Sequence, residues 1–412
     1  MSILKDKRVY VVDDDEIMLL AIKAMFKSLG AQVTTNESSL KALEAIKDER
    51  PDLVILDLMM PEMDGMDMCR LMRQESTLND TKIVFFSGKS YEHDQQRAMS
   101  YGADGYLVKP LLDDTFISAI EEIMEEKIEI TYWGVRGTLP VPGEKSLKYG
   151  GNTNCTTIQF PKNNLFILDA GTGIKRFSDH LLSEGVTNLH AKILISHPHW
   201  DHINALPFFA PLYVPGNEFE IFGASHGHVT MRELISAQMD GVYFPIRIKE
   251  FAARTYFRDL KEEEFMINDI KVTTLLLSHP GTCLGYRLEY KGRSTCYVTD
   301  NELFPKGTPG HNQNYWDKLV AFIHKTDVLI TDTTYTDEEY KKKAGWGHSC
   351  VSEVAKLAHE AEVKELHIIH HDPDQFDEDI DRKLERVRTL LDEMNSRTKC
   401  IAPHEHQTFK VV

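Results

Sequence analysis

The sequence predicts an α/β protein of two domains, a doubly wound parallel sheet over residues 1–127 followed by a larger unit of strands and helices over 128–412. Three observations lead there. The chain has 412 residues, more than one ordinary core holds at roughly 100–200 residues per domain. Its N-terminal part repeats a short apolar run followed by an amphipathic helical stretch. The remainder places histidines and aspartates directly after apolar runs, where strands end.

In the first domain RVYVVDDD reads as a strand and EIMLLAIKAMFKSLG as the helix after it, closing at Gly30. The same punctuation recurs through DLVILDLMMP, KIVFFSG and GYLVKP. Strands alternating with helices give a parallel sheet, with functional groups at the carboxyl ends of its strands. Those ends carry Asp13 and Asp14, then Asp57, Ser87 and Lys109.

This series, with DLMMPEMDG around Asp57, resembles the receiver domain of bacterial response regulators over the whole segment. The resemblance implies a flavodoxin-like, five-stranded fold with Asp57 as phospho-acceptor. It also implies Asp13, Asp14 and Asp57 as a Mg²⁺ site, and Ser87, Tyr106 and Lys109 as the switch residues. A cognate histidine kinase or phosphotransfer protein would be the donor. The chemistry agrees, since an aspartate receiving a phosphoryl group needs a cation to offset the charge, and carboxylate oxygens suit Mg²⁺. Lys109 would pair with the new acyl phosphate and Ser87 would hydrogen-bond to it.

From IEEIMEEKIEITYWGVRG onward no Gly/Ser/Pro linker separates the domains, and the next strand is expected near Ile128. So short a tether favours transmission through a packed interface.

In the second domain AKILISHPHWDHINALPFF delivers His197, His199, Asp201 and His202 from one loop. Such an HxHxDH arrangement can seed two neighbouring metal sites. Further candidates follow apolar runs: His279 after TTLLLS, Asp300 after TCYVT and His370 after ELHII. Together these motifs resemble the metallo-β-lactamase superfamily, an αββα sandwich with its metals at one edge of the two sheets. The resemblance implies a first metal on His197, His199 and His279, a second on Asp201, His202 and His370, and Asp300 bridging. Asp169 in LFILDAGTG would orient ligands. Imidazole and carboxylate ligands fit zinc, manganese or iron. His371 is a rival for the last position, because neighbours in a strand face opposite sides; the family motif favours His370. His226, His228, His404 and His406 are read as surface or supporting histidines.

YGGNTNC, HWDHINALPFF, ITDTTY, GWGHSC and IIHHDPD are similar to the phosphodiesterase and RNase Z-like branch, especially to relatives of phosphoribosyl cyclic phosphate phosphodiesterase. That likeness implies hydrolysis of a small phosphodiester, such as a cyclic nucleotide or cyclic ribose phosphate, to a phosphomonoester. Asp201 and His348 are the expected catalytic residues. Ser349 is expected to cap the helix through VSEVAKLAHEA, setting His348 at a helix N-terminus that favours phosphate. Asp332 is expected to support the pocket and LPFFAPLYVP to wall it.

A formal charge of −17 disfavours nucleic acid, whose phosphates call for a basic surface. Six cysteines without CxxC spacing argue against disulfides and a thiolate zinc site. The opening MSILKDKRVYVVDDD is neither a secretory signal nor a membrane span, so a cytoplasmic protein without membrane contact is expected, with a homodimer open. Two other functions fit the same motifs, a non-catalytic signalling adaptor that docks through the metal fold and an RNase Z-like nuclease.

Overall fold

The computed structural model describes residues 2–109, 114–242 and 244–411, and the chain divides into two compact units, Met1–Glu126 and Lys127–Val412. In the first, β1 (Arg8–Val12), β2 (Gln32–Asn36), β3 (Leu53–Leu56), β4 (Lys82–Ser87) and β5 (Gly105–Val108) form one sheet in the order β2-β1-β3-β4-β5. All its pairings are parallel. Alternate residues of each strand serve opposite faces. Val9, Val11, Ile55, Val84 and Phe86 pack against helix residues Leu19, Ile22, Phe26, Phe116 and Ile120. Tyr10, Val12, Val54, Leu56, Ile83 and Phe85 pack on the other side against Ala42, Ile46, Met68 and Met72. Burial on both faces is why the strands read as continuous apolar runs. The helix Glu16–Ser28 starts at Asp15, whose carboxylate accepts from the amides of Ile17 and Met18, and chain reversal after it uses Gly30 at φ +87°.

The second unit begins with β6 (Ile128–Gly134), β7 (Cys155–Phe160), β8 (Asn164–Leu168), β9 (His190–Leu194), β10 (Glu218–Ala224) and β11 (Arg254–Leu260). It continues with β12 (Glu264–Ile267), β13 (Ile270–Leu276), β14 (Leu284–Tyr290), β15 (Arg293–Val298), β16 (Val328–Asp332), β17 (Glu365–Ile369), β18 (Lys399–Ile401) and β19 (Thr408–Val411). Two seven-stranded sheets result, ordered β11-β10-β9-β8-β7-β6-β19 and β12-β13-β14-β15-β16-β17-β18. A core joins Ile130, Ile158, Phe166 and Leu168 of the first sheet to Val272, Leu288, Tyr297 and Val298 of the second. The outer face of the first sheet, with Ile167, Ile193 and Ile221, is covered by Ile174 and Phe177 of the helix Gly173–Ser183. Layers of helix, sheet, sheet and helix follow, the αββα arrangement. No helix among the described residues is long and apolar enough to cross a membrane.

Candidate functional site

In the first unit, Asp57 follows β3 and its amide donates to the Val12 carbonyl at 2.9 Å, which holds it beside the end of β1. The Lys109 ammonium lies 2.6 Å from Asp13 Oδ2 and 2.7 Å from Asp57 Oδ1. The other Asp57 oxygen accepts from the Met59 amide at 2.6 Å. Burial pushes the Asp13 carboxyl above its usual range despite the hydrogen bond from Lys109. Burial also works against the Lys109 charge, but Asp13 and Asp57 outweigh it and raise its pKa. Asp14 is exposed. Among the described residues the side chains of Asp14, Ser87 and Tyr106 make no hydrogen bond to this trio; the Tyr106 hydroxyl donates to the Lys89 carbonyl at 2.9 Å and its ring stacks on Phe85. A Cβ on Gly65 would meet the Asp57 carbonyl oxygen at 2.2 Å, so glycine alone lets the next helix start so close to Asp57.

In the second unit three strands end the same way. Asp169 after β8, Asp300 after β15 and His370 after β17 all take the left-handed conformation, at φ 60°, 49° and 59°. Non-glycine residues there are strained and concentrate at functional sites. Beside β8 in the first sheet, β9 leads into His197 and His199, and the short helix Trp200–Ile203 carries Asp201 and His202.

These residues converge. Ligand atoms of His197, His199, His279 and Asp300 lie within 4.8 Å of one another, as do those of Asp201, His202 and His370. Asp300 faces both groups with different oxygens. Its Oδ2 is 3.6 Å from His197 Nε2 and 3.8 Å from His279 Nε2, while its Oδ1 is 3.2 Å from His202 Nε2 and 3.1 Å from His370 Nε2. Asp201 Oδ2 lies 3.1 Å from His202 Nε2 and 3.3 Å from His370 Nε2, and it accepts from the Thr138 amide at 2.7 Å.

The histidines are oriented from behind. His202 Nδ1 is 2.7 Å from Asp169 Oδ2, whose carboxylate also accepts from the Ser196 amide, the Ser196 hydroxyl and Tyr297. His279 Nδ1 donates to the Gly347 carbonyl at 2.9 Å, and His370 Nδ1 lies 3.0 Å from the Thr334 hydroxyl. Each contact turns Nε2 toward the cluster. Burial holds His197, His199 and His279 below the usual histidine pKa, so they are neutral, the form that binds metal. Burial also favours neutral His202, but Asp201, Asp300 and Asp169 overcome it and raise its pKa well above normal.

A divalent metal pair fits these donors. The Nε2 atoms of His197 and His202 are buried without a hydrogen-bond partner, and His199 Nδ1 faces His279 Nε2 at 3.2 Å. Imidazole nitrogens that converge on each other and on two carboxylates, three of the rings held neutral by burial, call for a shared cation.

His348 lies at the edge of this cluster, stacked on His370 with ring centroids 4.8 Å apart. Its Nδ1 is 2.8 Å from Asp332 Oδ2. Burial disfavours its charge, but Asp332 overrides that and pushes the pKa up to about 9. Asp300, Asp332, His348 and His370 form a third grouping within 4.8 Å. Asp332, however, spends its oxygens on the amides of Asn301, Thr334 and Ser349 and on the Thr334 hydroxyl as well as on His348. It acts as a hydrogen-bond acceptor.

Two expectations are corrected. The helix Val351–Glu360 has Cys350 at its N-cap without a side-chain bond. The Ser349 hydroxyl instead bonds the Asn301 carbonyl and accepts from the Leu303 amide, and Asp337 takes the Ser352 amide. His348 is therefore positioned by Asp332 rather than by a capped helix end. Leu206, Phe209 and Leu212 of the LPFFAPLYVP run lie in the core while Phe208 and Val214 are exposed, and none of the run lines the opening beside the histidines. His371 is fully buried on the opposite side of the strand end from His370, edge-on to Tyr149, with both ring nitrogens unpartnered.

Two supporting residues were not singled out by the motifs, Gly137 and, although it lies within ITDTTY, Thr334. A Cβ on Gly137 would stand 2.2 Å from the His370 ring, and Thr334 reaches His370 from the loop after β16.

Comparison with known proteins agrees with this geometry. Residues 9–121 match the response regulator receiver domain, and residues 165–371 match the beta-lactamase superfamily domain. Protein PilG of Pseudomonas aeruginosa is 30% identical over 114 residues, 28% of this chain and 84% of PilG. The alkaline phosphatase synthesis transcriptional regulatory protein PhoP of Bacillus subtilis is 32% identical over 105 residues, 26% of this chain. The match spans less than half of PhoP, 43% of its length. The metallo-beta-lactamase fold protein YhfI of Bacillus subtilis has the fold of the second unit, at 15% identity and a TM-score of 0.50, over 69% of this chain and 100% of YhfI.

Proposed function

Because this chain belongs to the β-lactamase superfamily and, through its N-terminal unit, to the response regulator receiver family, we propose that it is a phosphorylation-regulated, metal-dependent phosphodiesterase acting on a small, cyclic-nucleotide-like diester. The observation that carries this reading is the Asp300 carboxylate, which turns one oxygen to His197 and His279 and the other to His202 and His370. Such a divided carboxylate suits two cations side by side, the arrangement that favours displacement at phosphorus.

His197, His199 and His279 would hold one metal, Asp201, His202 and His370 the other, with Asp300 shared. Bound divalent cations there would offset charge on the phosphoryl oxygens and make the attacking water more acidic. The residues of the chain do the rest. Asp169 fixes the His202 ring, Gly347 the His279 ring and Thr334 the His370 ring. His348 holds one proton on Nδ1 against Asp332 and carries a second on Nε2. As a water oxygen bonds to phosphorus and gives up its proton to solvent, the P–O bond to the leaving ester oxygen breaks and that oxygen takes the Nε2 proton, so a cyclic diester opens to a phosphomonoester bearing a new hydroxyl on the same molecule.

In the receiver, Asp57 is the proposed phospho-acceptor and a histidine kinase or phosphotransfer protein the donor, with Mg²⁺ at Asp13, Asp14 and Asp57. A phosphoryl group on Asp57 changes what Lys109 pairs with, and that exchange is the proposed input to hydrolysis.

Metal-loaded protein is expected to cleave bis(p-nitrophenyl) phosphate and at least one member of a cyclic nucleotide panel. Protein that leaves these untouched while opening lactones or thioesters would overturn the reading.

A further inference from the structure

Beside His197 and His199 opens a cavity of about 880 Å³, lined by Trp200, Ile203, Asn204, Leu234, Gln238 and Thr282. That is room for a group of nucleoside size. Its position is set by the chemistry, since a substituent on a phosphorus held by the histidines extends into whatever space adjoins them.

The lining selects among substituents. No lysine or arginine lines the cavity among the described residues, and beyond the cluster histidines its one ionisable side chain is His226, so no fixed positive charge favours a second phosphate there. Trp200 is 81% exposed although both its sequence neighbours belong to the metal cluster, so a broad aromatic face is left to solvent at the mouth. Two amides complete the wall. Gln238 Nε2 and Asn204 Oδ1 are enclosed without any hydrogen-bond partner, a cost that is relieved when the amide turns toward a polar ligand. An aromatic plane with one spare donor and one spare acceptor matches a nucleobase, which has a π face and an edge with donor beside acceptor.

We propose that this cavity binds the base of a nucleoside phosphodiester, with Trp200 as the stacking face and Gln238 and Asn204 reading the base edge. The inference rests on the phosphodiesterase reading for its substrate class. Sugar phosphates without a base would bind at the histidines but leave the cavity unfilled.

The test is calorimetric titration of the full, metal-loaded chain with AMP and with ribose 5-phosphate, which share a phosphomonoester and differ in the base. AMP is expected to bind about tenfold tighter or more, as one stacked base provides. Trp200→Ala is expected to bring AMP close to ribose 5-phosphate while leaving ribose 5-phosphate unchanged. Gln238→Leu, on the helix Met231–Gln238 away from every metal ligand, is expected to weaken AMP severalfold with metal content intact; it covers the case in which the tryptophan variant disturbs its neighbours. Equal binding of AMP and ribose 5-phosphate overturns the proposal, as does an AMP preference that survives both substitutions. Assaying bis(p-nitrophenyl) phosphate on the same preparation separates the two ideas. An AMP preference without diester hydrolysis keeps the base cavity and removes the phosphodiesterase, and hydrolysis without that preference does the reverse.

Discussion

Nδ1 of His348 lies 2.8 Å from a carboxylate oxygen of Asp332, and this contact decides which nitrogen is left for the substrate. Asp332 is fully buried and already accepts from three backbone amides and a hydroxyl, so it cannot swing away. With Nδ1 committed, Nε2 is the nitrogen left to donate in the proposed reaction.

His348→Ala and Asp332→Asn are each expected to lower kcat by about 10²–10³ on diesters with alkoxide leaving groups, the range of general acid catalysis. On bis(p-nitrophenyl) phosphate, whose leaving group needs no proton, the loss is expected to stay within about tenfold. Combining the two substitutions adds little, because they disable one device. Equal losses on both kinds of diester would exclude His348 as the acid.

Gly137→Ala is expected to expel one metal although no proposed ligand is substituted. The new methyl would stand 2.2 Å from the His370 ring, displacing that ring from Asp300 and Asp201. Elemental analysis should give about two metals per chain for the wild type and about one for this variant, and Asp300→Ala should hold less than either. Two tightly held metals in Gly137→Ala would mean that His370 is not a ligand.

Acetyl phosphate or a cognate kinase is expected to label the wild type and not Asp57→Ala, as read by intact mass. Lys109→Ala should still accept the phosphoryl group, since Asp57 stays in place, but should lose the response of hydrolysis to beryllofluoride. If wild type, beryllofluoride-treated wild type and Asp57→Ala all turn over diester at the same rate, the receiver does not control the hydrolase.

Lys383 is fully buried, and burial brings its pKa down to about 7 against the pull of Glu339, Asp332 and Asp372. Between about pH 7 and the ordinary lysine range the unfolded chain binds the proton more tightly than the folded one, so stability rises with pH through this window. Below pH 7 both states are protonated and the cost of the buried charge is constant. Thermal melts at pH 6.5 and pH 9 should show a rise that Lys383→Met lacks; equal pH responses would place a screened, ordinary ammonium at this position.

The parts of the molecule readable from sequence are those written locally. The five parallel strands appear as apolar runs because both faces are buried, and His197, His199, Asp201 and His202 lie within one loop. Asp300 and His370 were readable because each stands within two residues of a strand end. What stayed hidden depends on partners far apart in the chain. Ser349 looks like a helix cap by type and position, yet its hydroxyl bridges the backbone of Asn301 and Leu303. The cavity wall at Leu234 and Gln238 comes from a helix with no motif, brought to the histidines by the folding of the first sheet.

The strand Thr408–Val411 pairs with Ile128–Thr131, Val411 opposite Ile128, so the first and last described strands of the second unit are neighbours. During synthesis the N-terminal unit is complete long before residue 411 leaves the ribosome. Until then Ile128–Gly134 has one free edge, a template for pairing with another chain. A nick that removes Thr408–Val411 would return the folded protein to that nascent condition, prone to aggregate although every residue of the histidine and aspartate cluster is retained.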